Sequence, residues 1–318
     1  MRWLALLAVL FGAAGLPVTA HADDIARIDH IVAVTDRWWQ VFVDSPAMAG
    51  TVQIDVLLPA HRTGPHPTVY LLEGIDSARA DQNDWTFQGG AVDFFADKDV
   101  TVVLPVGGAG SFYTDWQRLD PVRGQQHWET LLTRELPPLL DARLDGNGRN
   151  AIVGISMGAQ AAMMLAERSG DLYSGVAALS GCYDTADAIG QAELRYIVSS
   201  DGSDPDDMWG PADDSDWTAH DVLAHADALR GKSLYVYAAS GLPGEHENAG
   251  TPDLPDVVLE GGAIEFGTRL CTGILRQRLD ALSIPATYDL TAAGTHSWPY
   301  WRDHLAAGWP VLAAALGQ

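Results

Sequence analysis

The chain has 318 residues, 47% hydrophobic and 19% charged, which is ample material for a large core and excludes disordered and fibrous classes. Its 19 Lys and Arg against 42 Asp and Glu leave a formal net charge of −23, a surface that repels phosphate backbones and argues against a nucleic-acid partner. Two cysteines, Cys182 and Cys271, are too few for a zinc ribbon or a disulfide scaffold.

The chain starts like an export signal. Arg2 supplies the positive start, residues 4–16 are apolar, and Ala20-His21-Ala22 places small residues where a signal peptidase reads them. Cleavage is expected after Ala22. Residues 23–318 then form one domain, secreted or in the cell envelope, where Cys182 and Cys271 meet oxidising conditions in which they can pair. Residues 52–58 alternate apolar and polar side chains like a half-buried strand. Short β-rich runs follow at 68–72, 100–104, 151–155, 176–179, 234–238 and 286–290. Helical stretches lie between them. Residues 128–140 form one, bent or broken by Pro137 and Pro138. Residues 159–168 form a second, and 216–229 a third with Asp216 as its N-cap. Residues 264–282 form a fourth, with Cys271, Ile274, Leu275, Leu279 and Leu282 on one face. Strands alternating with helices predict an α/β architecture: a mostly parallel sheet with helices on both faces. The first extended segments have no helix between them, so the leading edge is expected to be antiparallel.

The sharpest motif is Gly154-Ile155-Ser156-Met157-Gly158. It matches G-x-S-x-G between a buried strand and an Ala-rich helix, the context of a nucleophile elbow. Such a turn lifts the serine hydroxyl above the sheet. It also leaves the Met157 amide free at a helix start, where the dipole favours an oxyanion. The chain order of an α/β-hydrolase places the base after the last strand, and His296 follows the 286–290 run through a Gly-containing loop. The acid belongs beyond the 234–238 strand, where Glu245, Glu247, Asp253, Asp256 and Glu260 all qualify. The second oxyanion donor belongs to the loop after an early strand, and Ile75 in Leu71-Leu72-Glu73-Gly74-Ile75 is the candidate. Asp201, Asp204, Asp206 and Asp207 lack calcium-loop spacing and read as a solvated loop, so no metal is expected. Ser297, Trp298, Tyr300 and Trp301 stand beside His296, where aromatics either line a substrate groove or fill core.

At these residues the chain resembles the secreted mycolyltransferases of mycolate-walled actinobacteria, the fibronectin-binding antigen group, whose fold is an α/β-hydrolase. The similar blocks include Tyr70-Leu71-Leu72-Glu73-Gly74, Leu104-Pro105-Val106-Gly107-Gly108 and Ser111-Phe112-Tyr113-Thr114-Asp115-Trp116. Met208-Trp209-Gly210-Pro211 and Gly294-Thr295-His296-Ser297-Trp298 follow in order. The resemblance implies Ser156 as nucleophile, His296 as base, and the amides of Met157 and Ile75 as the oxyanion hole. It selects Glu260 as the acid, because the family's Phe-Leu-Glu reads Val258-Leu259-Glu260 here. It puts Glu73 and Asp76 where family members contact trehalose through Asp and Arg, and Ser297 and Trp298 at the substrate. The implied reaction moves a mycolyl group from a trehalose monomycolate-like glycolipid to a carbohydrate acceptor at the cell wall. It needs no cofactor and proceeds through a monomer. The alternatives are a carboxylesterase with water as acceptor and a non-catalytic adhesion relative.

Overall fold

The computed structural model describes residues 25–75 and 79–318. The expected signal segment and Asp76 lie outside them. Among the described residues nine strands form one sheet: β1 (Arg27–Ala33), β2 (Trp38–Ser45), β3 (Gly50–Leu57), β4 (His66–Leu72), β5 (Thr101–Pro105), β6 (Gly146–Ile155), β7 (Tyr173–Leu179), β8 (Ser233–Ala238) and β9 (Thr287–Leu290). Their spatial order is β1-β2-β3-β5-β4-β6-β7-β8-β9. The β1-β2, β2-β3 and β3-β5 pairings are antiparallel, and every pairing from β5 through β4 to β9 is parallel. The expected parallel sheet with an antiparallel leading edge is therefore present.

The longer helices are α1 (Leu136–Leu144), α2 (Met157–Arg168), α3 (Ala188–Ser200), α4 (Gly262–Ala281) and α5 (Trp298–Leu316). The central strands are apolar on both sides, so neighbouring residues feed opposite cores. Tyr70, Leu72 and Ile152 join a core with α2 and with Leu275 and Leu279 of α4. Val69, Leu71, Ala151 and Val153 join a second core with Leu305, Leu312 and Leu316 of α5. Helices thus cover both faces of the sheet.

Two predicted helices differ in detail. The 128–140 stretch opens as Trp128–Thr130, passes through a π-turn at Leu131–Glu135 and resumes as α1. Pro137 and Pro138 follow the π-turn at once and lack the N–H groups that would continue its ladder, and the Leu132 carbonyl accepts the Tyr173 hydroxyl at 2.8 Å. The 216–229 stretch breaks into Asp216–Ala219, Val222–His225 and a 3-10 turn, Ala226–Leu229. Asp216 is not a cap there. Asp221 interrupts the helix by accepting the Ala224 N–H at 2.6 Å. The acidic run after α3 is spent on structure. Asp204 caps the helix Pro205–Trp209, while Asp206 and Asp207 pair with Arg195 and Arg118. Cys182 and Cys271 are bonded, with Cα atoms 4.9 Å apart.

Candidate active site

The site stands at the carboxyl ends of β4, β6, β7 and β8. Ser156 sits between β6 and α2 with φ 52° and ψ −122°, a conformation that a residue with a Cβ rarely adopts. Close approach explains the flanking glycines. A Cβ on Gly154 would lie 1.9 Å from the Gly158 carbonyl oxygen, and one on Gly158 would lie 2.3 Å from the Glu73 carbonyl oxygen. The turn is pinned by the Ser156 N–H, which donates to the Leu179 carbonyl at 2.9 Å.

His296 reaches Ser156 from the loop between β9 and α5. Its Nε2 is 2.9 Å from Ser156 Oγ. Its backbone N–H donates to Gly261 at 3.1 Å, and its ring meets Trp301 edge-on at 4.8 Å. The other ring nitrogen, Nδ1, is 2.9 Å from Oε2 of Glu265. Glu265 is in the first turn of α4 and is fully buried. Its Oε1 accepts from the Ser180 hydroxyl at 2.9 Å and from the Ala239 N–H at 2.6 Å. Three polar partners thus satisfy one carboxyl group that is sealed from water.

Glu260, the expected acid, is not the partner of His296. It lies in a π-turn, Val257–Gly261, none of whose residues is buried, and its side chain is exposed at the wall of the cleft. The next helical turn, not this one, faces the sheet. Glu73 also departs from its expected place. It is fully buried, with Oε1 accepting the Asp84 N–H and Oε2 sealed from solvent, so its carboxyl does not face a substrate. Burial pushes its pKa up to about 8, opposed by the Asp84 N–H and reinforced by the charges of Asp84 and Asp55. The carboxyl is a buried acid that braces the loop behind the serine.

The remaining expected residues surround one cleft of about 910 Å³. Gly74, Ile75, Met157, Ser297 and Trp298 line it together with Ser156 and His296. A Cβ on Gly74 would lie 3.4 Å from the Ser156 Cβ, so the Glu73–Ile75 loop runs directly against Ser156. Met157 is the first residue of α2, where a backbone N–H has no intrahelical acceptor. Trp298 is half-buried and packs edge-on against Trp85 and Trp301, whereas Tyr300 is core and Trp301 is buried but also lines the cleft. Glu247 is a further member. It accepts from the Tyr300 hydroxyl and the Gly244 N–H, each at 2.6 Å, and from the Thr295 hydroxyl at 2.8 Å, beside His296. Burial opposes its ionisation, but these hydrogen bonds outweigh it and hold its pKa below the usual value.

Comparison with known proteins places this geometry. A family described as "Putative esterase" matches residues 45–312. The diacylglycerol acyltransferase/mycolyltransferase Ag85B of Mycobacterium avium is 34% identical over 265 residues, 79% of this chain and 76% of that protein. The chain belongs to the esterase family of the Ag85 mycolyltransferases. Ag85A of Mycobacterium tuberculosis is 32% identical over 289 residues, covering 86% of this chain and 80% of that one. The crystal structure of Mycobacterium tuberculosis MPT51 (FbpC1) superposes with a TM-score of 0.74 at 26% identity, over 89% of this chain and 100% of that chain. The fold is therefore the esterase-type α/β-hydrolase, and the elbow and the histidine loop fall within the matched region. Glu265 has no counterpart among the acids that sequence reasoning weighed. A usable signal was present, namely Gly262, Glu265, Thr268 and Thr272 recurring on one helical face.

Proposed function

We propose that this protein is an exported serine acyltransferase that moves a long acyl group from a trehalose monomycolate-like glycolipid to a carbohydrate acceptor. The observation that carries the reading is the continuous relay Ser156–His296–Glu265, with both contacts at 2.9 Å, at the floor of the cleft. Ser156 Oγ attacks the donor's ester carbonyl while His296 Nε2 takes its proton. The oxyanion forms against the N–H groups of Met157 and Ile75. His296 returns the proton to the departing sugar oxygen, leaving the acyl group on Ser156. The acceptor hydroxyl then attacks this ester, gives its proton to His296, and the acylated acceptor leaves with Ser156 restored. Glu265 holds the imidazole in the productive tautomer and balances its positive charge. No metal or organic cofactor enters the scheme.

The cleft wall suits a long chain. Tyr196 of α3 is 75% exposed and Ile264 of α4 is 45% exposed, and both line the cleft. An acyl chain lying between α3 and α4 would remove this surface from water at about 25 cal/mol per Å². Export is supported by Arg2, the apolar 4–16 segment and Ala20-His21-Ala22. The test is product analysis with a fatty-acyl trehalose monoester as donor and trehalose in excess. A trehalose diester supports the proposal. Release of free fatty acid alone, with no diester at any acceptor concentration, would make the protein a hydrolase.

A further inference from the structure

We infer that the Cys182–Cys271 disulfide is a positioning device for the triad carboxylate. The helix that carries Glu265 is poorly anchored where Glu265 stands. The buried residues of α4 are Gly262, Glu265, Thr268 and Thr272 in its first part, and Leu275 and Leu279 only near its end. Its first part thus buries no large apolar side chain. Ile264, Phe266 and Leu270 are instead 45%, 55% and 56% exposed. The two short turns leading into it, Leu254–Asp256 and Val257–Gly261, bury nothing. Hydrophobic packing therefore fixes the far end of α4 and leaves the catalytic end to other contacts.

Two of those contacts come from one segment, the three residues after β7. Ser180 is fully buried and takes φ 58°, a backbone strain that the surrounding structure must hold in place. Its N–H donates to Tyr237 at 2.8 Å, and its hydroxyl donates to Glu265 Oε1 at 2.9 Å. Two residues later Cys182 is bonded to Cys271, six residues beyond Glu265 on α4. The same short segment thus grips α4 twice, once through the carboxylate and once covalently. The other ties to this end of α4 are the Ala239 N–H on Glu265 Oε1 at 2.6 Å, His296 Nδ1 on Oε2 at 2.9 Å, the Arg269 side chain on the Ala238 carbonyl at 3.0 Å and the His296 N–H on Gly261. Cys182 also lines the cleft, so the bridge forms part of the wall beside the relay. With the bridge open, α4 is free to shift against the sheet. A shift of one ångström at Glu265 loosens the hydrogen bond that sets the tautomer of His296.

The inference rests on the proposed triad, and a double-mutant cycle separates the two. Cys182→Ala/Cys271→Ala is made in the wild-type and Glu265→Gln backgrounds, with kcat, KM and Tm measured on a p-nitrophenyl ester. In the wild-type background kcat should fall about tenfold while KM changes by less than about twofold. In the Glu265→Gln background kcat should fall by less than about twofold, because the group positioned by the bridge is already gone. The drop in Tm should be the same in both. An equal kcat loss in both backgrounds makes the bridge a fold element only and overturns the inference, as does no loss in either. If the unbridged variants do not fold, the same four values come from wild type and Glu265→Gln with the bridge reduced by dithiothreitol. Two free thiols and an unchanged far-UV circular dichroism spectrum then confirm the state. A Glu265→Gln protein that keeps more than a tenth of wild-type kcat would strike the triad itself. A large Glu265→Gln loss with a silent bridge strikes the positioning role alone.

Discussion

Replacing Glu265 by Gln changes one atom type at a fully buried position, and the structure dictates which way the new amide faces. Oε1 accepts two donors, the Ser180 hydroxyl and the Ala239 N–H. An amide NH2 cannot replace it there without setting donor against donor. The Gln oxygen therefore stays on that side and its NH2 turns to His296. Nδ1 must then accept, the ring proton moves to Nε2, and Nε2 no longer accepts the proton of Ser156. The counter-charge for the imidazolium is lost as well. A triad Asp→Asn change that leaves geometry intact costs about 10⁴ in kcat, and Glu265→Gln is expected to cost about 10³–10⁴, or about 4–5.5 kcal/mol. Glu260→Gln, on an exposed side chain without contact to the relay, should change kcat by less than about threefold. Both follow from initial rates of acyl transfer and of p-nitrophenyl ester hydrolysis at saturating substrate. Comparable losses in the two variants, or a crippled Glu260→Gln beside an active Glu265→Gln, would refute this reasoning.

Glu73 gives a pH-dependence of stability. Its folded pKa of about 8 lies above the ordinary 4.5, so between these values the unfolded chain has released a proton that the folded chain retains. Stability then falls as pH rises through this window, by at most about 1.4 kcal/mol per pH unit, and levels off above it. Glu73→Gln has no such proton, so urea melts at pH 5, 6.5 and 8 should show its advantage over wild type growing with pH; a constant difference would refute the assignment. Glycines separate cleanly. Gly154→Ala should abolish soluble expression, since its methyl would sit 1.9 Å from a backbone oxygen. Gly273→Ala in α4, with nothing within 4 Å, should raise stability by about 1 kcal/mol in thermal melts.

Much of the fold was readable because buried parallel strands are short continuous apolar runs, and each of the runs named from sequence overlaps a strand from β3 to β9. The elbow was readable because close packing leaves glycine no substitute at 154 and 158. The carboxyl partner of His296 was not. An amphipathic reading of α4 turns its large apolar residues inward, yet Ile274 is 49% exposed and the buried face of the first turns is small and polar. A face that brings a carboxylate to histidine inverts the usual pattern, and exposed Ile264 lines the cleft. Local similarity at Val258-Leu259-Glu260 then drew the choice five residues short, because a π-turn before α4 is invisible in side-chain spacing. Helix α3 had a legible start, Asp187 accepting from Ile189 and Gly190, but no regular apolar stripe to extend it. Helix α5 contains Pro310 and Gly308, breakers by propensity that packing on the sheet overrides.

The central claim is that an acyl group passes through Ser156 to a sugar. Mixing the enzyme with a fatty-acyl trehalose monoester, quenching in acid within the first turnover and mapping peptides by mass spectrometry tests it directly. The account predicts the acyl mass on the peptide containing Ser156, its disappearance on adding trehalose with matching growth of diester, and neither signal in Ser156→Ala. Diester formation at an undiminished rate by Ser156→Ala, or an acyl mass on any other residue, would contradict it.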